Sequence, residues 1–126
     1  MKHSLQTPHA PAAIGPYSQG ISVSGQRLLF LSGQLPIDPV TGVMPENIQD
    51  QTKQALSNLQ AILQSAGAGL SNVVKTTVFL KDMNDFAAMN EVYASFFEAP
   101  FPARACVEVA RLPKDAKVEI EAVAVL

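Results

Sequence analysis

Side chains able to do chemistry gather in the last quarter of this 126-residue sequence: Arg104, Cys106, Glu119 and Glu121. A guanidinium presents a rigid fork of donors that can hold a carboxylate by both oxygens. A thiol beside such a cation loses its proton more readily. Two carboxylates held close push one pKa up, which can make a general acid or base. Each group also has a plainer account. On spacing alone, Arg104 paired with Glu119 or Glu121 on an exposed strand face is the simpler reading, and such pairs contribute little. On an exposed sheet the two glutamates only repel weakly through water. Cys106 has no positioned base, because His3 and His9 lie in a loose N-terminal stretch. A Cys-His nucleophile is therefore rejected in favour of a half-buried structural thiol beside a pocket.

Three further positions are candidates for lining a site. Ser32-Gly33 ends an apolar run, where a hydroxyl and a bare backbone N–H can face a ligand, although a plain turn explains the pair more simply. Tyr17 and Asn90 are ambiguous in the same way. Asn90 interrupts the apolar side of a helical pattern, and a buried amide without partners costs on the order of 1–3 kcal/mol. There is no Ser-His-Asp set, phosphate loop, dinucleotide fingerprint or metal-ligand spacing.

The elements that must position these residues follow from periodicity. Arg104, Cys106 and Glu108 alternate with Ala103, Ala105, Val107 and Val109, and Lys117, Glu119 and Glu121 alternate with Val118, Ile120, Ala122 and Ala124. Both stretches read as strands. Leu112-Pro113-Lys114-Asp115 between them predicts a turn and an antiparallel pair, with Arg, thiol and carboxylates on one shared face. Upstream, residues to Pro16 read as an extended lead-in without period. Tyr17–Val23 and Arg27–Leu31 predict a hairpin turning at Gly25 and broken at Ser32-Gly33. Gln34–Pro45 reads as an irregular loop. A helix is predicted from about Asn47, its N-cap, to Ala66, with Gly67 as its stop. Val73–Leu80 is a strand. A second helix, capped by Asp82, runs from about Met83 to Phe97 with Phe86, Met89, Tyr93, Phe96 and Phe97 inward. The order is α+β: a mixed sheet with two helices on one face, in a single domain over residues 1–126.

Composition narrows the function. Hydrophobic residues make up 48% and charged residues 16%, against roughly 25% charged in an average soluble domain. A small domain so short of charge is expected to cover part of its surface with another copy of itself. The net charge of −2 and the lack of any Lys/Arg run argue against a nucleic-acid binder. One cysteine excludes an intrachain disulfide. The N-terminal stretch lacks the apolar core of a signal peptide, and no apolar run is long enough to span a membrane, so a cytoplasmic protein is expected.

The stretch from Pro102 to Ile120 resembles the signature of the Rid (RidA/YjgF) family. It has Pro102-Ala103-Arg104, then Cys106-Val107-Glu108-Val109, and after a short turn Val118-Glu119-Ile120-Glu121. AIGPYSQG around Tyr17, SGQLP around Ser32, VVKTTVFLKDMNDFAAMN ending at Asn90, and ARLPKDAKVEIEAVAV extend the likeness over almost the whole chain. Because Arg104 is kept, the chain looks most like the imine-deaminase branch.

That resemblance implies a chorismate-mutase-like fold in a homotrimer, with sheets packed into a central barrel and three inter-subunit clefts. It implies hydrolysis of 2-enamine and 2-imine intermediates such as 2-aminoacrylate and 2-iminobutanoate to 2-keto acids and ammonia. PLP-dependent dehydratases acting on threonine and serine would release these intermediates. Arg104 would clamp the substrate carboxylate and Glu119 would activate water. Tyr17, Ser32, Gly33, Asn90 and the backbone at Cys106 would line the cleft. Neither a metal nor an organic cofactor is expected. The link from Phe97 to Phe101 is shorter than is usual in that branch, which leaves substrate size open. A trimeric 2-keto acid binder or chaperone-like protein without turnover is the alternative. RNA cleavage, attached to some relatives, fits poorly with the acidic balance.

Overall fold

The computed structural model describes residues 1–126. In chain order the elements are β1 (Lys2–Leu5), β2 (Gly20–Val23), β3 (Leu28–Gln34), α1 (Ile48–Ser65), β4 (Val73–Leu80), α2 (Phe86–Phe96), β5 (Ala103–Glu108) and β6 (Val118–Val125). Local chemistry accounts for the helices. The Asn47 side chain accepts a hydrogen bond from the Asp50 N–H at 2.8 Å, closing the N-terminus of α1. Gly67, just past its end, sits at φ +75°, where a side chain would be strained. Asp82 accepts from the Asn84 N–H and caps a 3₁₀ turn at Met83–Asp85, which leads into α2.

Both helices cover one face of a four-stranded sheet ordered β3-β6-β4-β5. Strand β6 is antiparallel to both of its neighbours, while β5 is parallel to β4, so the sheet is mixed. Leu56, Leu59 and Leu63 of α1 and Met89 and Tyr93 of α2 bury themselves against Val78 and Ile120. No helix is long and apolar enough to cross a membrane.

Strand partners differ from expectation at both ends of the chain. Within the expected extended lead-in, Lys2–Leu5 is a strand that pairs antiparallel with β2 in a separate two-stranded sheet. The hairpin expected at Gly25 is therefore not formed: β3 pairs with β6 instead. The antiparallel pair expected across Leu112–Asp115 is also absent. The connection from β4 through α2 lays β5 parallel on the outer edge, and β6 enters between β3 and β4. Nor does Ser32-Gly33 break its strand. Leu31 aligns with Ala122 and Gln34 with Ile120, so three steps on β3 match two on β6. The extra residue is a β-bulge at Ser32-Gly33.

Register decides which side chains share a face. Arg104 aligns with Thr76 and Cys106 with Val78, on the face beneath the helices. Glu119 aligns with Phe79 and Glu121 with Thr77, on the opposite face. The single face expected to carry Arg104, Cys106 and the carboxylates is thus divided, because a one-residue offset sends a side chain to the other side. The outer face also carries Leu28, Phe30 and Val107, which are 62%, 76% and 43% exposed. Exposed apolar side chains thus stand at both edges of this face, on β3 and on β5.

Candidate active site

Arg104 is the centre of the site. It projects from β5 under α2, where Phe86, Asn90 and Tyr93 recur at helical spacing on one side. Its guanidinium carbon lies 4.7 Å from the Tyr93 ring centroid, 5.5 Å from Tyr17 and 5.6 Å from Phe86. Three ring faces stabilise the cation without neutralising it. Arg104 Nη1 donates to Asn90 Oδ1 at 2.6 Å. The amide that interrupted the apolar stripe therefore finds its partner in the guanidinium. Asn90 Nδ2 then points the other way, toward Gly15. The ion pair expected between Arg104 and Glu119 or Glu121 is not formed, since the one salt bridge in the chain joins exposed Lys81 and Asp115. Arg104 keeps its charge and most of its donors free.

Each wall of this pocket is fixed by its neighbours. Tyr93 is fully buried, and its hydroxyl shares a hydrogen bond of 2.7 Å with Thr76. Burial pushes that phenol's pKa up, against smaller downward pulls from Thr76 and Arg104. Tyr17 is placed by the backbone beside it: Ser18 N–H donates to Pro102 O at 3.2 Å, and the Ser18 hydroxyl donates to Phe101 O. This bridge sets residue 18 alongside Ala103, one position before Arg104.

Cys106 follows Arg104 on the same face and is half-buried against the core. Burial raises its thiol pKa, and Arg104 opposes this with a smaller lowering. The thiol therefore stays protonated at neutral pH, which agrees with a structural thiol.

Gly33 and Glu119 form a second group on the outer face, with exposed Ser32 beside Gly33 in the bulge. The Glu119 carboxylate lies over the Gly33 backbone so closely that a Cβ at Gly33 would collide with Glu119 Oε2. Gly33 is required here for close approach. The structure thus brings together Tyr17, Asn90, Arg104 and Cys106 on one side, and Ser32, Gly33 and Glu119 on the other. Phe86 and Tyr93 are inward as expected, packing against and within the core. They also face the guanidinium, a second role that periodicity does not carry, nor does it single out Thr76. The signal was present in the spacing of Phe86, Asn90 and Tyr93, but a helical apolar stripe looks the same whether it covers a core or a cation.

A cavity of about 740 Å³ borders the Arg104 group, sharing Tyr17 with it. Ala99, Pro100 and Phe101 of the short link line it, together with Ser18, Gln19 and part of the N-terminal segment.

Comparison with known proteins identifies relatives along nearly the whole chain. Residues 7–126 match the family model described as Endoribonuclease L-PSP. The 2-iminobutanoate/2-iminopropanoate deaminase of Salmonella typhimurium is 52% identical over 128 aligned positions, covering 99% of this chain and 98% of that protein. The protein of the same name from Escherichia coli K12 matches to the same extent. Among solved structures, E. coli TdcF with bound serine superimposes with a TM-score of 0.77 at 49% identity, covering 98% of each chain. The E. coli YjgF gene product gives 0.76 at 51% identity, again covering 98% of each chain. With a family model matched from residue 7 onward and half-identical relatives along nearly their whole length, the chain belongs to the Rid (RidA/YjgF) family.

Proposed function

We propose that this protein hydrolyses reactive 2-imino acids, 2-iminopropanoate and 2-iminobutanoate, to the corresponding 2-keto acids and ammonia. The observation that carries the reading is the Arg104 guanidinium, held by Asn90 and three aromatic rings with no carboxylate of its own. Such a group takes a substrate carboxylate by two charge-assisted hydrogen bonds. The C=N carbon, adjacent to that carboxylate, is thereby fixed in place. The half-identical deaminases support the same substrate class.

Hydrolysis then needs a water and a proton acceptor. Glu119 takes a proton from water as its oxygen bonds to the C=N carbon. That proton passes to nitrogen, giving a carbinolamine. Glu119 then moves the remaining hydroxyl proton to nitrogen as C=O forms and the C–N bond breaks, so that ammonia leaves a 2-keto acid. A positioned base of this kind contributes roughly 10²–10⁴ in rate. Within one chain Glu119 lies on the other side of the sheet from Arg104. The base at each Arg104 therefore comes from a neighbouring copy, in a homotrimer whose clefts lie between subunits. The exposed Leu28, Phe30 and Val107 on the Glu119 face supply an apolar surface for that contact. Ser32 and Gly33 travel with Glu119, while Tyr17, Asn90 and the Cys106 backbone stay with Arg104. PLP-dependent dehydratases, which release such imines, are the upstream partners.

The test couples a threonine dehydratase to this protein and follows loss of 2-iminobutanoate, with semicarbazide trapping what remains. Acceleration by wild type and none by Arg104→Ala is expected. Folded wild type that binds 2-oxobutanoate without accelerating imine loss would replace this reading with a binding protein.

A further inference from the structure

We propose that Gln19 is a positioning residue that holds the N-terminal segment as a flap and, through it, sets Tyr17 over Arg104. Its side-chain amide reaches back to four backbone groups. Gln19 Oε1 accepts from the Thr7 N–H at 2.7 Å, and Nε2 donates to the carbonyls of Thr7, Ala10 and Pro11 at 3.1, 3.2 and 2.7 Å. An amide has two hydrogens, so three acceptors require one of them to be shared. One side chain is thus committed fully to a single stretch of chain.

That stretch has little else to hold it. Pairing of β1 with β2 ends at Leu5. Pro8 and Pro11 have no N–H to donate. Ala10, Ala12, Ala13 and Ile14 are exposed, so no apolar packing anchors them. Beneath the segment lies the cavity of about 740 Å³, which it roofs with Thr7, Pro8, Ala10, Ala12 and Ala13. The next link is Ile14, whose N–H donates to the Tyr17 hydroxyl at 3.4 Å. Gly15 then lies near both the Tyr17 ring and Asn90 Nδ2, each within 4 Å of where a Cβ on it would sit. The Ser18 bridge holds the Tyr17 backbone, while the phenol that covers the guanidinium is tethered at its hydroxyl to a segment whose restraint is Gln19. Loss of the clasp frees the flap and lets the Tyr17 ring leave Arg104, without touching Arg104 or Asn90.

The ligand-binding part of this inference rests on the reading of Arg104 as a 2-keto acid site, so the test has two independent readouts. The chain contains two tyrosines. With 3-fluorotyrosine incorporated and Tyr17→Phe used for assignment, the Tyr17 and Tyr93 signals are followed separately by fluorine NMR. In Gln19→Ala, and in Gln19→Glu, which keeps the acceptor but loses the donors, the Tyr17 signal is expected to move toward that of free tyrosine. The buried Tyr93 signal is expected to stay. Titration with 2-oxobutanoate is expected to show about fivefold weaker binding in Gln19→Ala. In a Tyr17→Ala background the same change should cost less than about twofold, because the effect passes through Tyr17. An unmoved Tyr17 signal, or an undiminished Gln19 effect without Tyr17, overturns the proposal. Loss of the native Tyr93 signal in both variants also overturns it, since Gln19 would then support the fold rather than the flap. Failure of wild type to bind 2-oxobutanoate would overturn the keto acid reading and leave the fluorine signal to decide on Gln19.

Discussion

Arg104 on β5 and Glu119 on β6 belong to one sheet but leave it through opposite faces, because Arg104 aligns with Thr76 of β4 and Glu119 with Phe79. A cleft containing both must be built from two chains. Arg104→Ala and Glu119→Gln are each expected to be inactive alone. On the homotrimer proposed above, if the two are unfolded together, mixed equally and refolded, about one cleft in four receives an intact Arg104 from one chain and an intact Glu119 from the next. Recovered imine hydrolysis near that fraction is expected. No recovery from mixed, assembled trimers would count against shared clefts.

Asn90 orients the guanidinium through its Oδ1. Asn90→Ala should weaken 2-oxobutanoate binding about tenfold, the scale of one hydrogen bond to a charged group. Asn90→Asp should weaken it more, because a carboxylate at that position neutralises Arg104 and competes with the ligand. Calorimetric titration of both variants checks the order. Tighter binding by Asn90→Asp would contradict the assigned role of Arg104.

At Gly33 an added Cβ meets the far end of a flexible side chain, the Glu119 carboxylate. Gly33→Ala should therefore cost little stability and instead push Glu119 aside. Turnover is expected to fall by roughly 10- to 100-fold, within the range of general-base catalysis, with KM nearly unchanged. A large drop in thermal midpoint would show that the backbone, not the carboxylate, had to move.

The Cys106 thiol gives a pH-dependent readout. Burial raises its pKa, so the midpoint of its alkylation by iodoacetamide should lie above that of free cysteine. Arg104 pulls in the opposite direction, and Arg104→Met should shift the midpoint still higher. Cys106→Ala should keep turnover within about twofold of wild type, since a protonated thiol is not the nucleophile. A midpoint below that of free cysteine would reopen the question of its reactivity.

What could be read in the sequence was local. The cap at Asn47, the stop at Gly67 and the β-branched run at Val73–Leu80 are each set by chemistry within a few residues, and all three appear in the structure. Strand partners are chosen across the chain, and there the nearest turn misled. Pro113–Asp115 does make a turn, but the strands on either side of it pair with other strands. The facing of β5 was misread for a related reason. Its alternation is real, yet the polar side lies beneath α2, where Asn90 and the rings receive a cation. Its Ala103, Ala105 and Val107 side belongs to the outer face. Spacing alone made Arg104, Asn90 and Tyr17 legible as residues but not as a group, and only the family resemblance placed them in one cleft, because their meeting depends on the α2 crossover and the Ser18 bridge.

The central place of β6 bears on how the protein is made. Strands β3 and β4 are translated long before it, yet each has β6 as a neighbour, so β3 has no other strand in its sheet to pair with. On the ribosome, α1 and α2 can form early, while this sheet waits for the polypeptide beyond Val118 to clear the exit tunnel. Until then the apolar edges of β3 and β4 remain open to aggregation and to chaperone capture. Nascent chains stalled at successive lengths should show no folding force while β6 is still inside the tunnel, and one late rise once it has emerged.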